Sequence, residues 1–268
     1  MKYLFWNTHG NENINPVLSD LIIENGISFV ILAEHSADID NLIEILRVNG
    51  VSMHEIPTMR CDRLHILGDT KLCIEPNLQT DKASILLING KLIICGVHLI
   101  SRIYADHEER REMEIEQIVS DINKIENEFN TKNTVIVGDF NINPYDKSCI
   151  SARYFHSLPV FVETERETRE VEGRECQMFY NPMWNFLGDF KEPFGTYYKN
   201  TGNTVNPLWN IFDQVIIRPT LRKYFVDESL KIITNTLSTS FLDKNKHPNH
   251  SISDHLPITF EIKEERDD

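Results

Sequence analysis

Thr134-Val135-Ile136-Val137-Gly138-Asp139-Phe140-Asn141 reads as a buried strand running out into two polar side chains. A short apolar run between turn signals is the pattern of a strand covered on both faces. Gly138 permits a tight backbone path there. Phe140 is expected to point inward, with Asp139 and Asn141 pointing out. A strand that ends in a carboxylate or an amide delivers that group to the rim of a sheet. Outward from this stretch, five more segments place polar groups beside apolar runs. They are Phe5-Trp6-Asn7, Leu32-Ala33-Glu34, Gly96-Val97-His98-Leu99, Phe212-Asp213-Gln214 and Ser253-Asp254-His255-Leu256-Pro257. Six such deliveries, all of metal-ligand or proton-transfer type, imply one shared site.

Each segment has a chemical reading and a plain one. Asp139 can hold or deprotonate a water, and Asn141 can orient that water or a phosphate oxygen; an Asx turn uses the same residues. His255 beside Asp254 is a proton-transfer or charge-stabilising pair, with an ordinary imidazole pKa near 6.5; a solvated turn histidine is the alternative. Asp213 can accept the second ring N–H of a histidine and set its tautomer, or it is a surface aspartate. Glu34 ends a buried strand and needs a cation or several donors. Magnesium takes few carboxylates plus waters and substrate oxygens. His98 can donate to a phosphoryl oxygen or sit hydrogen-bonded in the core. Asn7 can be a turn residue. His9 and His35, beside site candidates, could tune the pocket, but the reading favoured is that of exposed loop histidines.

The chain has 268 residues and a formal net charge of -14. That length buries a sizeable core. The acidic balance argues against a long duplex nucleic acid as main partner, because a non-specific coat carries a basic surplus. The five cysteines are odd in number and form no Cys-x-x-Cys, so neither a disulfide framework nor a zinc knuckle is expected. Cys73 and Cys95 are expected to be buried thiols. No leader-like apolar segment and no membrane span are read, so a cytoplasmic location and no obligate protein partner are the expectations.

Strands are expected at Tyr3–Trp6, Ile27–Ala33, Leu64–Leu67, Lys82–Ile88, Leu92–Val97, Thr134–Val137, Val215–Ile217 and Ile258–Ile262. Asn89-Gly90 is a hairpin signal. Asn15-Pro16 looks like a helix N-cap followed by proline at the first position. Ser36 is the expected cap of a second helix, and Asp106–Phe129 is a long amphipathic one. The stretch from Glu163 to Asn210 is irregular, and its aromatic part from Phe179 to Trp209 is a candidate specificity device or a packed loop. With no linker or repeat, residues 1–268 are expected to form a single domain. Hairpins mixed with helices indicate α+β.

Taken in order, Trp6-Asn7, Glu34, Val97-His98-Leu99, Gly138-Asp139-Phe140-Asn141, Asp213 and Ser253-Asp254-His255-Leu256-Pro257 resemble the endonuclease/exonuclease/phosphatase superfamily over about residues 3–262. The resemblance implies the DNase-I-like fold, two packed mixed β-sheets flanked by helices in a four-layer sandwich. It implies divalent-metal-dependent hydrolysis of a phosphate ester, by a nuclease, phosphodiesterase or phosphatase. Glu34 would be the principal Mg²⁺ ligand (Mn²⁺ the variant), with Asn7 and Asp254 nearby. Asp139 and Asn141 would handle the attacking water. His98 and His255 would stabilise the phosphoryl group, and Asp213 would hold His255. The tyrosine and arginine of many nuclease members would be Tyr104 with Arg102 or Arg111, and Tyr197 would line the substrate pocket. Gln214 departs from the tyrosine often found after this aspartate. The partner is then a phosphate ester, in nucleic acid or in a small phosphorylated molecule. The alternatives are a catalytically inert member that binds a partner or ligand, and a zinc site, which the oxygen-rich donor set disfavours.

Overall fold

In the computed structural model, residues 1–101, 107–202 and 205–263 are described. The strands are β1 (Lys2–Asn7), β2 (Phe29–Ala33), β3 (Met53–Ile56), β4 (Leu64–Asp69), β5 (Ile74–Gln79), β6 (Ala83–Ile88), β7 (Leu92–His98), β8 (Thr134–Asp139), β9 (Ser157–Leu158), β10 (Thr168–Val171), β11 (Arg174–Gln177), β12 (Phe179–Tyr180), β13 (Tyr197–Tyr198), β14 (Trp209–Asn210), β15 (Asp213–Ile217), β16 (Lys231–Ile232) and β17 (Ile258–Glu261). The α-helices are α1 (Asn15–Asn25), α2 (Ile39–Val48), α3 (His107–Glu128), α4 (Lys147–Ile150) and α5 (Phe161–Thr164). Among the described residues, β16-β17-β1-β2-β4-β3 form a six-stranded sheet and β5-β6-β7-β8-β15-β12-β9 a seven-stranded one. At the centre of the first, β1 runs parallel to β2; at the centre of the second, β7 runs parallel to β8.

Strand periodicity explains the layering. In the second sheet Leu86, Ile88, Ile94, Val135, Val137, Val215 and Ile217 face the core shared with the first sheet. Their alternate neighbours Ile85, Leu87, Ile93, Cys95, Ile136 and Ile216 pack with Ile115, Ile118, Ile122 and Ile125 of α3. Period-two strands thus meet a sheet on one side and a helical stripe on the other. Leu18, Leu21 and Ile22 of α1, with Leu42 and Leu46 of α2, join the core of the first sheet. The result is the four-layer arrangement expected from the resemblance, with mixed sheets.

Local chemistry moves some boundaries. The α2 cap is Asp38, not Ser36: its carboxylate accepts from the Asp40 and Asn41 backbone N–H groups. Asn15 lies inside α1 instead of capping it, and its amide donates to the Asp38 carbonyl at 2.7 Å. Proline at the start and Gly26 at φ +61° at the end delimit that helix. Asn89 and Gly90 both take positive φ in the three-residue connection between the paired Ile88 and Leu92, and the Lys91 N–H closes the turn on the Ile88 carbonyl. Cys73 is exposed where burial was expected, because it precedes edge strand β5; Cys95 is buried. All five cysteines are free thiols. No described helix is long and apolar enough to cross a membrane.

Candidate active site

The parallel pair β1 and β2 ends with Asn7 opposite Ala33, and Glu34 follows at φ +48°. In the other sheet, His98 at the end of β7 lies opposite Asp139 at the end of β8. Asp213, first residue of antiparallel β15, lies opposite Asp139 on its other side. Residues opposite one another project to the same face, so His98, Asp139 and Asp213 stand in one row across three strands. The turn before β17 brings His255. Ser253 Oγ donates to the Asn7 carbonyl at 2.7 Å and accepts from the His255 N–H at 3.0 Å. Trp6 Nε1 donates to the His255 carbonyl at 2.9 Å. Those three bonds pin the turn against the end of β1.

The side chains are joined as well as close. Asn7 Nδ2 donates to Asp139 Oδ2 at 3.1 Å and to Glu34 Oε1 at 3.3 Å, linking the carboxylates of the two sheets. His98 Nε2 lies 3.3 Å from Glu34 Oε1 and 3.8 Å from Asp139 Oδ2. His255 Nδ1 sits 3.0 and 2.9 Å from the two oxygens of Asp213. His255 Nε2 is 4.0 Å from both Asp139 Oδ2 and Asp254 Oδ1. Asp139 Oδ1 accepts from the Asn141 backbone N–H at 2.8 Å, and Asn141 Nδ2 donates to the Leu99 carbonyl at 3.0 Å. Asn141 is held at φ +52°, a left-handed turn conformation that asparagine tolerates.

Charge explains the protonation pattern. The His98 contact, opposed by partial burial, takes the Glu34 carboxyl down to about 2, so it is ionised at neutral pH. Burial opposes charge on the His255 ring, yet Asp213 and then Asp139 outweigh it and push the ring up to about 10. Burial alone would neutralise Asp213, which is fully enclosed. The contact with the ring makes imidazolium beside carboxylate the arrangement that satisfies both groups. Tyr197 packs on this pair, its ring centroid 4.7 Å from that of His255 and 5.2 Å from that of Phe212. Burial and then the surrounding carboxylates push its hydroxyl up to about 12, so it stays protonated.

No protein-family model matches the sequence, and no curated protein matches it. The backbone does match solved structures. A 3′ phosphatase from Neisseria, bound to a product DNA hairpin, is 15% identical, with 98% of this chain and 100% of that one covered and a TM-score of 0.58. An AP endonuclease from Archaeoglobus fulgidus is 10% identical over 98% and 99% of the two chains, with a TM-score of 0.55. The catalytic domain of human Nocturnin, with a bound sulfate anion, is 13% identical over 97% and 93%, at the same TM-score of 0.55. The chain has the DNase-I-like fold. At such identities the likeness is one of architecture.

Within the DNase-I-like frame, Asn7, Glu34, His98, Asp139, Asn141, Asp213, Asp254 and His255 gather at one rim, and Tyr197 borders them. Arg102 and Tyr104 lie outside the described residues. Arg111 is buried, and its guanidinium donates to the Ile100 carbonyl. Gln214 is buried, accepting from Asn181 and donating to the Ile142 carbonyl, which makes it part of the scaffold. Of the aromatic stretch, Phe179 and Phe186 belong to the core, Tyr198 stacks on His247 at 3.6 Å, and Phe190 is fully exposed. His35, expected at the surface, is buried beside Thr8, and burial takes its pKa down to about 4. Thr196 was missed, and His9 was weighed as a pocket residue but read as an exposed loop histidine. Thr196 Oγ1 accepts from the backbone N–H of Phe212 and Asp213. His9 Nδ1 stands 3.2 Å from Asp254 Oδ1 and 4.0 Å from Glu34 Oε2. Its place two residues after Asn7 was the available signal.

The donor set suits a hard divalent cation. Glu34, Asp139, Asp213 and Asp254 put four carboxylates at one rim, and Asp254 Oδ1 is buried with no hydrogen bond among the described residues. Such an excess of oxygen donors calls for a positive charge. Asp139, Asp213 and His255 bring ligand atoms within 4.8 Å of one another and form one group able to hold a metal. In that group, however, the His255–Asp213 contact already uses a ring nitrogen and both Asp213 oxygens. The partly exposed Glu34 carboxylate, with Asp254, is the more open pair of oxygen donors, and Asn7 faces Glu34 with its Nδ2 while its Oδ1 accepts from the His9 N–H.

Proposed function

We propose that this protein is a divalent-cation-dependent hydrolase of phosphate esters, a nuclease, phosphodiesterase or phosphatase. The observation that carries the reading is the hydrogen-bonded chain Glu34–Asn7–Asp139, with His98 and a buried imidazolium at His255 standing within 4.0 Å of Asp139. Hydrolysis of a phosphate ester needs an oriented water and donors aimed at the oxygens where negative charge builds. Asp139 Oδ2 orients that water and takes its proton as the new phosphorus–oxygen bond forms. Asn141 keeps the loop after β8 folded onto Asp139 Oδ1. His98 and His255 donate to the phosphoryl oxygens as the bond to the leaving oxygen breaks. Asp213 fixes the His255 ring and keeps it charged. Tyr197, protonated, walls the substrate side.

Mg²⁺, with Mn²⁺ as the alternative, would be held by Glu34, Asn7 and Asp254. Once bound it polarises the phosphoryl group and neutralises charge on its oxygens. The net charge of -14 favours a short or small substrate over a long duplex.

The test is turnover of oligonucleotides, nucleotides, inositol phosphates and phospholipids with Mg²⁺, Mn²⁺ or EDTA. Hydrolysis is expected with metal and not with chelator. Asp139→Asn and His255→Ala should each lower kcat by on the order of 10² or more with unchanged circular dichroism. Hydrolysis indifferent to EDTA, or normal turnover in both variants, removes this mechanism. Specific binding without turnover of any substrate would instead point to an inert member of the fold.

A further inference from the structure

The segment after β1 is shaped around Glu34. Thr8 Oγ1 and the Gly10 N–H donate to the Glu34 carbonyl at 3.1 and 2.8 Å. The His9 N–H donates to Asn7 Oδ1 at 3.0 Å, and His9 takes φ +51°. A non-glycine residue in the left-handed region is uncommon and costs conformational energy. Here the strained turn aims an imidazole between two carboxylates that come from different ends of the chain. Nδ1 lies 3.2 Å from Asp254 Oδ1 and 4.0 Å from Glu34 Oε2. Asp254 Oδ1 is a buried oxygen with no hydrogen bond among the described residues. A ring nitrogen, two carboxylates and the Asn7 amide therefore converge on one small volume.

We propose that His9 Nδ1 is a direct ligand of the bound cation, making the site a mixed nitrogen–oxygen one that still takes Mg²⁺ but gains affinity for Mn²⁺ and Zn²⁺ from the ring. The inference rests on the phosphoesterase reading only in that a cation site must exist. Imidazole adds affinity for transition metals and zinc, whereas Mg²⁺ prefers oxygen donors and retains its waters. Two further rings border the site. His255 gives Nδ1 to Asp213, and its Nε2 lies 4.0 Å from Asp254 Oδ1. His98 points Nε2 at the Glu34–Asp139 side, 3.3 Å from Glu34 Oε1.

The decisive measurement is pulsed electron paramagnetic resonance on the full chain loaded with Mn²⁺, which detects a nitrogen bonded to the ion through its modulation of the spin echo. Calorimetric titration with Mg²⁺, Mn²⁺ and Zn²⁺ accompanies it. The proposal expects nitrogen modulation in the wild type and its loss in His9→Asn, whose fold is checked by circular dichroism. It also expects His9→Asn to weaken Mn²⁺ and Zn²⁺ by roughly tenfold or more while Mg²⁺ changes by less than about threefold. Bound Mn²⁺ without nitrogen modulation overturns the proposal and leaves the phosphoesterase reading standing. Modulation that survives in His9→Asn but vanishes in His98→Asn assigns the ligand elsewhere and also overturns it. Equal weakening of all three cations in His9→Asn would show that the ring acts only as a partner for Asp254. Absence of binding by any of the three cations overturns this proposal and the metal-dependent reading together.

Discussion

A protonated imidazole enclosed beside a carboxylate acts as a fixed positive charge, and its strength depends on the partner that keeps it charged. Asp213 supplies that partner to His255 from the same row of the sheet as Asp139. Asp213→Asn retains the shape but removes the negative charge. It is expected to lower kcat by roughly 10- to 100-fold, with KM changing far less. Steady-state kinetics on any substrate found above, with circular dichroism as control, checks it. Gly138 sets a second limit at this scale. A Cβ there would stand 1.9 Å from the Val97 carbonyl oxygen, so the strand carrying His98 would have to move. Gly138→Ala is expected to cost about 3 kcal/mol of stability through overpacking, measured as a lower urea midpoint. That the candidate site residues gather at one rim was legible, because a carboxylate or imidazole at the end of an apolar run has few structural reasons to be there. His9 was legible only as one of two alternatives, because its place two residues after Asn7 suits a pocket residue and a solvated loop histidine alike.

Between elements, the long helix is tied to the second sheet by a buried ion pair as well as by its isoleucine stripe. Arg218, just after β15, donates to Glu126 at 2.8 and 3.2 Å, to Asn123 at 2.8 Å and to the Met178 carbonyl at 3.2 Å. Its guanidinium lies 3.9 Å above the Phe179 ring. Arg218→Ala strands a buried Glu126 and is expected to cost about 3–5 kcal/mol, while Arg218→Met with Glu126→Leu should cost markedly less. Urea unfolding of the three variants separates these outcomes. The joint between α4, β9 and β12 is pH-sensitive. His156 is buried at φ +47°, its Nδ1–H donating to the Gln177 carbonyl at 2.9 Å, and burial lowers its pKa. Below the ordinary value near 6.5 the unfolded chain takes up a proton that the folded ring resists, so stability falls as pH drops below about 6.5. The urea midpoint should therefore fall between pH 7 and pH 5, and His156→Asn should reduce that fall. Long apolar runs made the central strands readable. Edge strands β3 and β5 were not, because β5 is polar and mostly exposed, and short pieces such as β9 and β12 exist only by pairing with distant strands.

For the molecule as a whole, the acidic surplus would, under the proposed function, set how a phosphate-bearing substrate is met. A protein that tracks a nucleic-acid backbone with many basic side chains loses affinity steeply with salt. With a net charge of -14, kcat/KM on an oligonucleotide is expected to fall with a log–log salt slope of about −2 or shallower, equivalent to no more than about three phosphate contacts. A slope near −5 would show that a basic track exists despite the overall charge. The two-sheet architecture followed from the motif order, which carried more information than periodicity alone. Which side chains hydrogen-bond to which was beyond reach, because Asn7 meets Asp139 only when strands from different sheets converge.

The bond from Ser253 to the Asn7 carbonyl spans 246 positions of the chain. His255 is held by that bond and by the one from Trp6, so its ring is placed by contacts between segments far apart in the sequence. Under the proposed function, the charged ring would therefore join the carboxylates only once β17 has paired with β1, so the site would be completed by the last step of closing the first sheet.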